Sequence, residues 1–181
     1  MAKFVSALTA AHRAFIAARK IYFVASASHS GRVNLSPKGM DTFRVLSTTR
    51  VGYLDVTGSG NETAARLREN GRLTLMLCSF DAAPLIFRIY GRGRAVQPHD
   101  TDWPRLRPLF GPPLAGERQL VLVEIESIQT SCGFGVPFFN YTGERPTLLD
   151  YAEKKGPEGM AAYRDRHNRQ SIDGLPTGLR P

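Results

Sequence analysis

Apolar and polar residues alternate in short runs through the first 135 positions, and this period of two predicts β-strands. The clearest runs are RLTLMLCSF (72–80), LIFRIYGRGRAV (85–96) and QLVLVEIESIQTSCGFG (119–135); shorter ones are IYFVASAS (21–28), VNLSP (33–37), FRVLS (43–47) and VGYLDV (51–56). Most connections between these runs are too short for a crossover helix, so we expect a mostly antiparallel sheet. About six or seven such strands predict a mainly β, α+β fold built on a β-barrel with short flanking helices.

Helical spacing is confined to four other regions. Residues 5–19 place apolar side chains on one side, and PHDTDWPRLRPLF (98–110) predicts a short helix. TLLDYAEKKG (147–156) and PEGMAAYRDRHNRQ (157–170) are helical and polar, whereas SIDGLPTGLRP (171–181) is expected to lie extended over the surface or over a partner. We therefore predict a barrel domain with an N-terminal helix at 1–146. A helical extension and tail of the same domain follow at 147–181.

The stretch DVTGSGNETAARLREN (55–70) joins two predicted strands and is the connection able to cross the barrel mouth. Asn61 is a good N-cap and Gly71 a good C′ residue, which predicts a helix of about ten residues. The glycines before the helix let a ligand approach the backbone, so the turn could hold a phosphate at a helix N-terminus. It matches neither the dinucleotide fingerprint nor the P-loop, and a capped corner without a ligand remains the alternative.

Composition narrows the class of protein. Hydrophobic residues make up 42% and charged residues 22%, as in ordinary folded proteins, and no apolar run is long enough for a membrane span. The net charge of +8 is spread along the chain without a recognition motif, so nucleic-acid binding is not expected, and anionic small molecules explain the charge equally well. Cys78 and Cys132 form neither a disulfide framework nor a metal motif. Without a secretory signal, a cytoplasmic location is the expectation.

Taken in order, the pieces VNLSPKG, VGYLDVTGSGNETAARLRENGRLTLMLC and LIFRIYGRGRAV resemble the pyridoxamine 5′-phosphate oxidase-like family of FMN-binding split barrels. In that family a strand ending in lysine precedes an apolar strand ending near a threonine, here Lys38 and Thr57. A polar turn, a short helix with L-x-x-N, here at 67–70, and a further apolar strand follow. The resemblance covers about residues 20–97.

This resemblance implies an FMN site. The residues that would run along the flavin are Val33, Asn34, Leu35, Ser36, Pro37 and Lys38. Those that would lie under its ring or ribityl chain are Val56 and Thr57. Asn61, Glu62 and Thr63 fall where the oxidases grip the phosphate, and Glu62 and Thr63 replace two cations of that pattern. The phosphate would then rest on backbone N–H groups, hydroxyls and an arginine from elsewhere, such as Arg88 or one from a second subunit.

The stretch SCGFGVPFFNYTGER (131–145) replaces the oxidases' C-terminal pattern. It is either a strand end with a glycine-rich bulge, or a segment whose Cys132 and Phe134 line the flavin face or the site of a partner subunit. The resemblance implies a homodimer with FMN at the interface. It also implies an FMN-dependent oxidoreductase that transfers hydride at flavin N5 to or from an unidentified small molecule.

Two alternatives to this oxidoreductase stay open. One is a flavin-binding, deazaflavin-binding or haem-binding module without pyridoxamine-phosphate oxidase activity, and the other is a basic barrel that binds nucleic acid or protein. The four histidines have no metal-ligand neighbours, so no metal site is predicted and no catalytic residue is assigned.

Overall fold

A computed structural model describes residues 3–180, and eight strands in it form one curled antiparallel sheet. The strands are β1 (Lys3–Val5), β2 (Tyr22–Ala27), β3 (Val33–Lys38), β4 (Phe43–Val45), β5 (Arg50–Val56), β6 (Arg72–Cys78), β7 (Ile86–Val96) and β8 (Glu117–Ser131). Their order is β3-β2-β6-β7-β8-β5-β4, and β1 pairs with β8. The predicted antiparallel arrangement is confirmed, since every pairing runs that way. The outer limits of the two predicted segments, Met1 and Pro181, lie outside the described residues.

The sheet curls around an apolar core to which strands β2, β4, β5, β6, β7 and β8 contribute. Buried side chains inside the curl include Val24, Tyr53, Leu75, Phe87 and Val123. A second apolar cluster packs against the other face of β5, β7 and β8. Alternate residues of these strands therefore enter two different cores, which is why their sequences read as nearly continuous apolar runs.

Four helices accompany the sheet: α1 (Ala10–Ala17), α2 (Glu62–Glu69), α3 (Trp103–Leu106), which continues as a 3₁₀ turn over Arg107–Phe110, and α4 (Thr147–His167). The predicted helix at 5–19 is shorter than expected because Thr9 caps α1 and residues 3–5 pair with the end of β8. None of the helices in residues 3–180 has the length and apolar character needed to cross a membrane.

Helix α2 connects β5 to β6, which are not neighbours in the sheet, so it crosses the barrel as predicted. It has eight residues rather than about ten. Gly71 follows it with φ +71°, which confirms the predicted C′ glycine. Asn61 lies at the N-cap position, but its side chain makes no capping hydrogen bond. Its Oδ1 instead accepts from Gln119 Nε2 at 2.8 Å. The side chain that was predicted to cap α2 therefore binds a residue of β8.

Helix α4 changes direction at Gly156, where φ is +67° and ψ is 172°. Pro157 follows, and a residue before proline is disfavoured in helical conformation. The two predicted helical segments are therefore confirmed, with the break at their boundary. Beyond His167 the chain runs back over α2. The sequence predicts that this tail lies extended over the surface or over a partner.

Candidate functional site

Edge strand β3 meets β5, the strand next to the opposite edge strand β4, at an ion pair. Lys38 Nζ, at the end of edge strand β3, lies 2.7 Å from Asp55 Oδ1 on β5. Arg118 Nη2 lies 2.7 Å from the other carboxylate oxygen, and Gln119 Nε2 donates to the same oxygen at 2.8 Å. Side chains, and not strand pairing, therefore hold β3 and β5 together at this point.

Charge balance decides the ionisation state of Asp55. Burial alone would raise its pKa, but the cations of Arg118 and Lys38 outweigh burial and hold the pKa well below its ordinary value. Asp55 is therefore an anion at neutral pH. It holds the ammonium group of Lys38 in place between β3 and β5, 5.5 Å from the centroid of the Tyr53 ring.

The turn at 57–63, predicted as a phosphate cradle, is covered by the C-terminal part of the chain. Asn168 is fully buried, and its Nδ2 donates to Gly58 O at 3.2 Å. Arg118 Nη1 donates to Gly60 O at 2.9 Å and to Asn168 Oδ1 at 2.7 Å. Arg164 Nη1 reaches Thr57 Oγ1 at 3.4 Å. Protein groups thus fill the outer side of this turn.

Strand β3 presents two different faces. Val33, Leu35 and Pro37 are exposed on the outer face, whereas Asn34, Ser36 and Lys38 are partly buried and face the barrel. On the inner face Asn34 Nδ2 donates to Thr63 Oγ1 at 3.2 Å, and Ser36 Oγ donates to Asn34 Oδ1 at 3.1 Å. These contacts connect the predicted flavin strand directly to α2.

A carboxylate-binding site lies where the turn before β3 meets α2. Asp173 Oδ2 accepts from Arg32 N at 3.0 Å and from Arg66 Nη2 at 3.3 Å, and Oδ1 pairs with Arg32 Nη1 at 2.5 Å. Gly31 makes room for this carboxylate, because a Cβ built there would lie 2.8 Å from Asp173 Oδ2. Arg66 also pairs with Glu62 Oε2 at 3.1 Å and is 1% exposed. We call Gly31, Arg32 and Arg66 the anion site.

A cavity of about 1030 Å³ opens at the other end of β3. Its aromatic and apolar walls are formed chiefly by Phe23, Pro37, Met40, Phe80, Phe139, Tyr141 and Tyr151. The loop that carries Phe139 is fixed to the sheet, since Phe139 N donates to Phe80 O at 3.2 Å and the two rings lie 5.4 Å apart. Its size and apolar character suit a drug-sized or cofactor-sized ligand.

The cavity is rimmed by basic side chains. Arg19 pairs with Asp81 at 3.0 Å, and Lys38 pairs with Asp55 as described above. Within residues 3–180, Lys20 and Arg145 also line the cavity and form no ion pair. Asp81 and Glu144 line the cavity as well, so four basic and two acidic side chains leave a net positive charge that favours a ligand carrying negative charge.

Three predicted site residues lie apart from these features. Arg88 is in the middle of the sheet, where its Nη1 donates to Ser131 Oγ at 3.2 Å. Cys132 and Phe134 are exposed and do not line the cavity. Val56 ends β5 beside the covered turn, where it pairs with Glu117. Cys78 is buried as expected, and it lines the cavity.

Sequence reasoning missed the arginines that surround the turn and β3: Arg32, Arg66, Arg118 and Arg164. For Arg118 a signal was present, since it stands at the start of an apolar strand, as Asp55 stands alone inside another. A lone charge inside an apolar run, as Asp55 is, indicates a buried group that needs a partner of opposite charge. Arg32 and Arg66 carried no such signal, because their partner Asp173 is more than 100 residues away in sequence.

Two observations test whether a flavin mononucleotide fits these residues. The outer side of the turn at 57–63 is filled by Asn168 and Arg118, so it offers no open cradle for a phosphate. The neighbouring anion site binds the Asp173 carboxylate, so its donors are arranged to bind an anion. The cavity at the far end of β3 has room for a planar ring system. A flavin would fit these residues with its phosphate at the anion site, in place of the Asp173 carboxylate.

Comparison with known proteins agrees with this architecture. A model of the pyridoxamine 5′-phosphate oxidase family matches residues 8–132. The pyridoxamine 5′-phosphate oxidase family protein ustO of Aspergillus flavus is 40% identical over 173 residues, covering 86% of this chain and 70% of that protein.

Solved structures show the same fold at low sequence identity. HupZ of Group A Streptococcus is 16% identical with a TM-score of 0.55, covering 67% of this chain and 91% of that one. A candidate pyridoxamine 5′-phosphate oxidase of Lactobacillus delbrueckii is 17% identical with a TM-score of 0.54, covering 68% and 94%. From the family match, the fungal relative and this shared fold, we conclude that the chain is a split-barrel protein of the pyridoxamine 5′-phosphate oxidase family.

Proposed function

We propose that the protein binds FMN along β3 and uses it as an oxidoreductase on a small molecule. The observation that carries the proposal is that β3 joins the anion site to the aromatic cavity. Arg32 precedes the strand, and Pro37 and Lys38 at its other end line the cavity. The strand spans roughly 17 Å between these ends, a length comparable to that of an extended FMN molecule. Family membership supports a flavin as the cofactor.

The chain's own residues would bind and orient such a cofactor. A bound flavin supplies hydride transfer at its N5 atom. Arg32 and Arg66 offer guanidinium groups to a phosphate, and the aromatic walls of the cavity exclude water from a planar ring. Lys38, fixed by Asp55, adds a positioned cation at the cavity wall that favours negative charge there.

The direct test is the identity of the cofactor that the purified protein carries or takes up. We expect mass spectrometry of the released cofactor to show FMN, and anaerobic addition of NAD(P)H or a substrate to bleach the flavin absorbance with turnover. Deazaflavin or haem would be recognised by mass and spectrum. A colourless protein that does not take up added FMN would contradict the proposal.

Phe139 provides a mutational test of the cavity. We expect Phe139→Ala to weaken FMN binding about tenfold, because the ring forms one wall of the cavity and fixes its loop against Phe80. The matched control is Phe138→Ala, since Phe138 is the neighbouring aromatic, exposed and outside the cavity lining. Affinity measured by fluorescence titration that falls equally in both variants would argue against the cavity as the flavin site.

We also propose that the protein is a homodimer that packs through the outer face of the sheet. One row of cross-strand neighbours on that face consists of Pro37, Phe23, Met76, Arg88, Gln129 and Phe4. The next row begins with Leu35, and both Leu35 and Phe4 are 63% exposed. A row of apolar side chains around a few polar groups resembles the core of a protein interface. This face adjoins the cavity, which would place the cofactor near a second copy.

The assembly can be measured directly by light scattering during gel filtration. We expect the mass of a dimer for the unaltered protein and a shift towards the monomer for Leu35→Glu, because a buried unpaired charge opposes association. Leu109→Glu is the control, since Leu109 is also half exposed but follows α3, away from this face. A Leu35→Glu variant with unchanged mass would exclude this face as the interface.

A further inference from the structure

The C-terminal strap, residues 168–180, is fastened to the barrel at both of its ends. At one end the buried Asn168 donates from Nδ2 to Gly58 O at 3.2 Å, in the turn before α2, and its Oδ1 accepts from Arg118 Nη1 at 2.7 Å. At the other end Gln97 Nε2 donates to Gly178 O at 2.9 Å. Between these fastenings the chain forms a narrow loop, closed by a bridge between Gln170 and Pro176. Asp173 lies at the tip of that loop.

The tip touches the barrel chiefly through charged and polar groups. Ile172 N donates to Glu62 Oε1 at 2.9 Å, and the Asp173 carboxylate fills the anion site. The side chain of Ile172 is 67% exposed, so it adds little buried apolar area at the tip. A contact made of hydrogen bonds and ion pairs, with little buried apolar surface, opens more easily than a packed core.

The anion site keeps hydrogen-bonding capacity that the Asp173 carboxylate does not use, although Glu62 Oε2 already pairs with Arg66 Nη1 at 3.1 Å. It offers two guanidinium groups and the Arg32 backbone N–H, and one of these guanidiniums, on Arg66, is almost fully buried. Arg66 Nε has no hydrogen-bond partner within residues 3–180. A phosphate monoester carries more negative charge than a carboxylate and has three acceptor oxygens, so it matches such a donor set better.

We propose that the Asp173 tip is an exchangeable plug: a phosphate monoester displaces it from the anion site and lifts the middle of the strap. The identification of that ester as the phosphate of FMN rests on the proposed function. While the plug is in place, it competes with the phosphate. The apparent affinity for FMN therefore equals the intrinsic affinity multiplied by the fraction of molecules in which the plug is open. The ends of the strap stay attached, because the contacts of Asn168 with Gly58 and of Gly178 with Gln97 do not involve the anion site.

Amide hydrogen exchange of residues 170–177 measures this movement with or without a flavin. We expect inorganic phosphate at millimolar concentration to accelerate exchange there, and sodium chloride of equal ionic strength to have a smaller effect, since screening alone is not site-specific. FMN is expected to accelerate the same amides at lower concentration. Riboflavin, which lacks the phosphate, is expected to leave them unchanged.

Variants separate the plug from general effects of charge. We expect Asp173→Asn to accelerate exchange of the strap without any ligand and to tighten FMN binding about tenfold, with riboflavin binding unchanged. The matched control is Asp102→Asn, since Asp102 also lies between two arginines, Arg94 at 2.7 Å and Arg105 at 2.9 Å, on another part of the surface. The control is expected to change neither exchange nor flavin affinity.

The two proposals fail in different ways. If FMN binds and strap exchange stays the same or slows, the plug is wrong and the flavin proposal stands. If no flavin binds but inorganic phosphate still accelerates strap exchange in the unaltered protein, the plug stands and the flavin proposal is wrong. If phosphate, FMN and Asp173→Asn all leave the strap unchanged, the exchangeable plug is overturned.

Discussion

Replacing Arg118 with glutamine is expected to lower the free energy of unfolding by about 3–5 kcal/mol, the usual cost of breaking a buried ion pair. Both side chains of the pair are about 5% exposed or less, and Arg118 donates twice to Asp55, from Nε at 3.1 Å and from Nη2 at 2.7 Å. Without Arg118, the Asp55 charge keeps only Lys38 as a cation and loses two hydrogen bonds. Urea unfolding followed by circular dichroism measures the change.

The control for this prediction is Arg50→Gln. Arg50 pairs with Glu124 on the same two strands, but both of these side chains are about half exposed. Such a pair contributes little, so we expect a change within about 0.5 kcal/mol. The double variant Asp55→Asn with Arg118→Gln should recover part of the loss, because the deeply buried Asp55 charge is then removed as well and only Lys38, whose side chain is 22% exposed, loses its partner. Equal losses in Arg118→Gln and Arg50→Gln would show that the buried pair is not a main support of the fold.

A Gly91→Ala variant is expected to lose about 3 kcal/mol or more of stability and to give little folded protein. Gly91 lies at the register shift between β7 and β8, where the bulge brings the two backbones close together. A Cβ at this position would stand 2.2 Å from Glu124 O and 3.0 Å from Val123 Cγ1. The first of these atoms is backbone in the longest strand pair of the sheet, so it cannot move aside without disturbing the ladder.

Gly135→Ala is the matched control for Gly91→Ala. Nothing lies within 4 Å of a Cβ built at Gly135, and its φ is not in the left-handed region. We expect its thermal midpoint to stay close to that of the unaltered protein, with a change within about 0.5 kcal/mol. A Gly91→Ala protein with normal yield and an equal midpoint would mean that the two strands can separate locally at little cost.

Strong local patterns allowed most of the fold to be predicted from the sequence. The runs that became β6, β7 and β8 alternate in the expected way, Gly71 ends α2, and Gly156 with Pro157 divides α4. Each of these signals depends on residues close together in sequence. The three-residue strand β1 was missed because its pairing with the end of β8 has no local signature.

The candidate site was less predictable because its contacts join distant segments. The predicted strand 33–38 does lie between an anion site and a large cavity, yet the cavity needs residues beyond position 130 and the anion site is recognised through its occupant Asp173. Asn61 was predicted as a cap from its local context, but Gln119 uses its side chain instead. Glu62, the unexpected acid in the turn, pairs with Arg66 and with the backbone of Ile172. Local rules cannot anticipate such partners.

The strap also has a consequence for how the chain is made. Asp173 meets Arg32 across a sequence separation of 141 residues, and β1 pairs with residues 128–130. A ribosome delivers Arg32 and Arg66 long before it delivers their shared carboxylate. The growing chain therefore holds the guanidinium of Arg66 without Asp173 until synthesis passes that residue. Folds dominated by such distant contacts form slowly, so the barrel should reach its final state only after residue 173 has left the ribosome.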